Sequence, residues 1–197
     1  MTDSQVLARL DRLESYQAIA QLPARYALTL DARNAKDWTS LYVPDIKVGA
    51  PIHGEGREAL ERWFYAKCSY WYRSIHVIGA HEIVFDDDDY AHGQVQCRVE
   101  QEIGDAWVTT VVLYDDRYER RDGEWLFAHR RGLPLWCYQH GEDPIATGFR
   151  SLPTGMPIRL PAESPGFTEF WQSFSDQEVA AVTRSPLPHG AAVTAHR

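Results

Sequence analysis

Between Ile75 and Arg131 the chain reads as a run of long strands separated only by short turns. Ile75 to Phe85 is rich in β-branched residues, and Asp86 to Asp89 forms the turn after it. From Tyr90 to Ile103 the side chains alternate for much of the run. Val95, Cys97 and Val99 fall on one side, Gln94, Gln96 and Arg98 on the other, the period of two expected of a half-buried strand. Gly104-Asp105 is a second turn, Ala106 to Arg120 a third strand, Arg121-Asp122-Gly123 a hairpin signal, and Glu124 to Arg131 a fourth strand.

The segment before this meander is helical. Leu7, Leu10, Leu13 and Ile19 recur at three- and four-residue intervals between charged residues, so a helix is expected from about Ser4, as N-cap, to Leu30. Pro23 lacks an N–H and clashes with the preceding turn, so the run is expected to kink there or to be two helices. Asp37, Trp38 and Leu41 suggest a short helix. Ile46 to Ala50 reads as a short strand, Gly54 and Gly56 as loop, and Arg57 to Lys67 as a helix with Leu60, Phe64 and Trp63 inward. Helices first and then a strand meander make an α+β fold with an antiparallel sheet.

Beyond Trp136 the composition turns to Pro, Gly and Ser. Pro144, Pro153, Pro157, Pro161 and Pro165 disfavour long regular elements, and Ser175 with Glu178 forms a capping box ahead of Val179 to Val182. The expected organisation is a domain over residues 1–137 and an extension over 138–197. The extension wraps the domain or a neighbouring subunit, and its last ten residues are expected to be mobile.

At 197 residues the chain has enough length for a core without disulfides or metals. Its formal charge of −8, without a basic stripe, argues against a nucleic-acid partner. Cys68, Cys97 and Cys137 are widely spaced and form no C-x-x-C pair, which disfavours a zinc ribbon or redox motif and suits free thiols in a reducing cytoplasm. From the polar N-terminus no signal peptide is expected, and no apolar stretch approaches a membrane span. His53, His81, His92, His129 and His140 show no metal-ligand spacing, and Asp86 to Asp89 lacks the Gly and distal Glu of a calcium loop. With no Gly-rich phosphate loop or G-x-S-x-G elbow, no cofactor and no metal are expected.

Three segments carry a family resemblance. Tyr26 to Asp31 followed by Asp37-Trp38, then Arg73 to Gly79 with His76, then Asp122 to Phe127 followed by Arg130, resemble in order the signatures of nuclear transport factor 2-like proteins of the SnoaL-like group. That group includes scytalone dehydratase, bile-acid dehydratases and dehydrochlorinase-like lyases. The resemblance covers about residues 5–136. It implies a curved antiparallel sheet wrapped by the N-terminal helices into a cone, a cystatin-like α+β barrel with a cavity, and self-association as homodimer or homotrimer.

It also implies roles. Asp31 and His76 match an Asp–His dyad in which the carboxylate orients the imidazole and Nε2 is a general base. The plain alternative is a helix-end Asp and a satisfied core His. Tyr26 matches a tyrosine that donates to a substrate oxygen, although Tyr26 and Asp31 do not share one stripe of a regular helix and would converge if the helix ended between them. Tyr114 stands where the dehydratase pattern has a pocket Asn, Gln101 where it has a second histidine, and Ala50 near a tyrosine position. These departures argue for a different substrate. Arg130 matches an arginine that holds a leaving anion, with the adjacent Arg131 facing the other way and a solvated cation as the plain alternative. Trp63, Trp71, Tyr72 and Trp136 are candidate rings for binding a flat substrate. The expected function is a cofactor-independent lyase for a small aromatic or alicyclic substrate, eliminating water or cleaving C–C by retro-aldol chemistry. An isomerase or cyclase, and a non-catalytic binding module, are the alternatives.

Overall fold

The computed structural model describes residues 2–141 and 165–184. Three helices and a small ladder precede the large sheet: α1 (Asp3–Asp31), α2 (Ala35–Ser40), β1 (Lys47–Val48), β2 (Gly54–Glu55) and α3 (Arg57–Cys68). The sheet follows as β3 (Arg73–Phe85), β4 (Tyr90–Ile103), β5 (Ala106–Arg121) and β6 (Glu124–Gln139), paired antiparallel in sequence order. Two further helices, α4 (Pro165–Gln172) and α5 (Asp176–Arg184), follow. No helix among these residues is long and apolar enough to cross a membrane.

Helix α1 is continuous through Pro23, which corrects the expected kink or break. The lost N–H bond is offset by packing, since Pro23 is buried with its neighbours Ile19, Leu22 and Tyr26. The cap is Thr2 rather than Ser4: its hydroxyl accepts from the Gln5 N–H while the Gln5 side chain accepts from the Thr2 N–H. The stripe that marks the helix in the sequence is not its buried face at the outset. Leu7 and Leu13 are each 65% exposed, and burial begins at Ser15 and Ile19.

The inner sheet face follows from parity. Val95, Cys97 and Val99 of β4 pair with Tyr114, Val112 and Thr110 of β5, and Tyr114 pairs with Gly132 of β6. Arginines tie the sheet to α1 at its far end, where Arg120 grips Asp11 and Arg12 reaches Asp88. Asp87 closes the Asp86–Asp89 turn by accepting from the N–H groups of Asp89 and Tyr90.

Helix α4 was not foreseen in the proline-rich stretch, yet a proline at a helix start costs nothing, because that N–H has no intrahelical partner. Its Phe167, Phe170 and Trp171 are buried. Phe170 stacks on Tyr65 at 5.1 Å, and Phe167 and Trp171 flank Tyr72. Gly166 allows the close approach to α1, since a Cβ there would meet the Ala32 carbonyl at 2.9 Å. The capping box predicted at Ser175 and Glu178 opens α5. Expectations for residues 142–164 and for the last ten residues lie outside the described residues.

Candidate active site

The C-terminal end of α1 and the first half of β3 bring Asp31 and His76 together. Asp31 Oδ1 lies 2.6 Å from His76 Nδ1, and Asp31 Oδ2 accepts the His76 backbone N–H at 2.7 Å. The same carboxylate accepts the Ser74 hydroxyl at 2.8 Å. Three donors converge on one carboxylate, which therefore acts only as acceptor, and the ring carries its proton on Nδ1. Nε2 is left basic, without a partner among the described residues, and His76 lines a cavity.

Two supporting residues went unread in the sequence. Ser74 lies two positions before His76 on β3, hence on the same face. Arg33 directs its Nη1 to Ser74 Oγ at 3.1 Å and to the Leu30 carbonyl at 2.9 Å, and its Nη2 to the Trp71 carbonyl at 3.0 Å. Arg33 is buried, with φ of 58°, directly after the helix, a position that usually favours glycine. The chain turns there through bonds from Arg33 N–H to Leu30 and Asn34 N–H to Thr29. The left-handed backbone is what points the guanidinium back under the helix end. Burial pulls its pKa down, while Cys68 and Asp31 oppose the shift. Replacing Ser74 with Ala should cost about 1–3 kcal/mol, because it removes a donor to a buried carboxylate and an acceptor from a buried cation. Urea denaturation reads the loss, and an unmoved midpoint would mean that water fills both roles.

Tyr26 and Tyr114 stand on the far side of His76. The Tyr26 ring meets His76 edge-on at 6.0 Å and Tyr114 at 5.7 Å. The helix does not end between Tyr26 and Asp31, which corrects the expected route to their convergence. The long phenol and the imidazole cover the angular gap instead. Burial, with the Tyr114 hydroxyl adding to it, raises Tyr26 well above the ordinary phenol range, and burial pushes Tyr114 up to about 12. Both are protonated donors at neutral pH.

Arg130 is not a solvated cation. Its guanidinium is buried and bidentate to Asp116, with both bonds at 2.8 Å, and lies over the rings of Tyr114 at 4.2 Å and Tyr26 at 4.4 Å. Burial works against its charge, but Asp116 more than offsets this and holds the pKa above the usual value. Nη1 is buried without a hydrogen-bond partner among the described residues. Asp116 also accepts the Tyr118 hydroxyl at 2.9 Å, and that oxygen lies 2.9 Å from His81 Nε2. Arg131 is exposed, facing the other way as expected.

These residues border a cavity of about 380 Å³, near the lower end of the roughly 300–1,000 Å³ typical of small-molecule sites. His76, Tyr26, Tyr114, Arg130 and Gln101 line it, with Trp63 and Trp71 as aromatic walls. Gln101 accepts from Thr110 at 3.3 Å. Cys68 also lines the cavity, and burial pushes its thiol up to about 12, so it is not a ready nucleophile. Two expected rings are elsewhere. Tyr72 is enclosed by α4. Trp136 is 52% exposed and stacks on Tyr138. The register explains Trp136: Pro134 pairs with Val112 but Trp136 pairs with Val111, so Leu135 is an extra residue and the following side chains switch faces.

The family model for the SnoaL-like domain matches residues 11–131. No curated protein matches. Among solved structures, hexachlorocyclohexane dehydrochlorinase (LinA) type 2 aligns with a TM-score of 0.62 at 22% identity, over 75% of this chain and 99% of that one. A Novosphingobium aromaticivorans protein assigned as a scytalone dehydratase gives 0.58 at 17%, over 68% and 92%. A protein from the same species, described as nuclear transport factor 2-like with a cystatin-like fold, gives 0.58 at 21%, over 68% and 90%. At these identities the likeness is one of fold, and it bears out the curved antiparallel sheet with packed helices.

Proposed function

The chain belongs to the SnoaL-like domain family, and from that premise we propose that it is a cofactor-independent lyase for a small aromatic or alicyclic substrate. The observation that carries the reading is the 2.6 Å contact between His76 Nδ1 and Asp31 beside a cavity that His76 lines. In this reading Nε2 takes a proton from a carbon next to the bond that breaks. The C–H electron pair becomes the new double bond as the leaving group departs with its own pair. Asp31 stabilises the imidazolium so formed. The phenols of Tyr26 and Tyr114 and the unpartnered Nη1 of Arg130 supply donors to the developing oxyanion or to the departing group. Retro-aldol cleavage would use the same groups, with Nε2 taking a hydroxyl proton and the C–C electrons ending as an enolate beside the donors.

Among the solved structures similar to this chain are a dehydrochlorinase and an assigned dehydratase, which supports elimination as the class. The test is conversion of a panel of cyclic β-hydroxy ketones and chlorinated cyclohexanes, followed by mass spectrometry. A product lighter than its substrate supports a lyase. An isomer of unchanged mass would transfer the site to proton-shuttling isomerisation, and a panel returned untouched would count against the substrate class.

A further inference from the structure

A second cavity of about 300 Å³ adjoins the first and shares Tyr42, Trp63, Arg130 and Gly132 as walls. We infer that the two form one bipartite substrate site, with Gly132 leaving the opening between them. The ligand class is an elongated molecule whose reactive ring sits by His76 and whose second flat segment, ending in an anion, enters the side chamber. The inference rests on the lyase reading only in taking His76 to mark the reactive end.

The side chamber is built for a flat apolar segment. Trp38 and Trp63, parallel to each other at 6.0 Å, line it together with Ile46, Val48 and Leu60. Its outer wall is the segment around Ala50, pinned because the Trp63 Nε1–H donates to the Ala50 carbonyl at 2.9 Å. The rim is cationic. Lys47 and Arg131 are exposed there with His129, in a chain whose net charge is −8. Glu55 stands opposite Lys47 and Asp115 opposite Arg131 in the ladders, yet among the described residues neither cation is in an ion pair with the carboxylate opposite it. An anionic group arriving at the rim would find both cations available.

Gly132 occupies an inward position of β6 between Arg130 and Pro134, facing Tyr114. Its backbone does not require glycine, because φ there is not positive. A Cβ would lie 3.4 Å from the Tyr114 ring and 3.5 Å from Val112, so a small side chain is accepted, and β-branched residues suit a strand. The missing side chain is therefore read as space. The γ-methyls of valine at this position would project into the opening.

Two probes share a phenol head: p-cresol, which fits one chamber, and 4′-hydroxybiphenyl-4-carboxylate, which spans both. Calorimetric titration of the full chain should show the biphenyl acid binding at least about tenfold tighter. Gly132→Val should remove that gain, weakening the biphenyl acid more than p-cresol. Lys47→Glu/Arg131→Glu, on the exposed rim, should weaken only the biphenyl acid, and so tests the proposal even if the valine variant misfolds. Wild-type protein that binds the two alike, or binds neither, overturns the inference, as do variants that weaken both probes equally. Binding needs no turnover, so failure of the lyase reading leaves this result intact, and failure here leaves the dyad untouched.

Discussion

His76→Ala should leave a folded protein whose turnover is lower by about 10²–10⁴, the range for loss of a positioned general base. That is about 3–5 kcal/mol of transition-state stabilisation. The fold should survive because Asp31 keeps the backbone N–H of residue 76 and the Ser74 hydroxyl as donors. Asp31→Asn should cost a similar factor for a different reason. All three partners of Asp31 are donors, so an amide must turn its own N–H₂ group against at least one of them. The imidazole would then be free to carry its proton on Nε2, the wrong nitrogen for a base facing the cavity. Nitrogen-15 spectra of the histidine rings separate the two effects. Wild type should show the Nδ1–H form at His76 and the Asn variant a shift toward Nε2–H. Near-normal turnover in either variant would remove the dyad from the mechanism.

What was legible in the chain divides by range. Turns were readable because turn residues are local, and β4 runs over the Tyr90–Ile103 span that its alternation marks, whereas β6 continues to Gln139, past the expected end at Arg131. Asp31 and His76 were found through resemblance, because neither periodicity nor spacing connects residues 45 apart. Ser74 and Arg33 were missed for the same reason: their roles consist of hydrogen bonds between α1 and β3, and an arginine in a glycine-like backbone position carries no local signal. Asp116 could have been found. With Tyr114 inward, parity puts Asp116 inward too, and a buried carboxylate demands a cation, which Arg130 supplies. Trp136 misled because the single bulged Leu135, invisible in an apolar run, inverts the parity that points Arg130 and Gly132 inward. The α1 stripe misled differently: amphipathic spacing shows that a helix forms, not which part of it the sheet covers.

Asp116→Ala should be the most damaging single change to stability. Its carboxylate has no exposed side-chain surface and Arg130 only 3%. A guanidinium stays charged at any accessible pH, and here the neighbouring rings and burial give it no water in exchange. Removing one partner of such a pair typically costs about 3–5 kcal/mol, against a total stability of about 5–15 kcal/mol for a domain. For a chain of this size that is a fall in Tm of roughly 6–20 °C. The Tyr118 hydroxyl would lose its acceptor as well, which places the expectation toward the upper end. Asp116→Ala/Arg130→Met separates the buried charge from the packing: it deletes both charges, leaves a flexible apolar chain between Tyr26 and Tyr114, and should regain most of the lost Tm. Turnover should not return with it, since the unpartnered Nη1 donor is gone. If Asp116→Ala melts within about 2 °C of wild type, then water reaches Arg130 and its charge was never committed to Asp116. If instead the double variant is both stable and active, the pair is a structural cross-brace between β5 and β6, and the donors to the leaving group reduce to the two phenols.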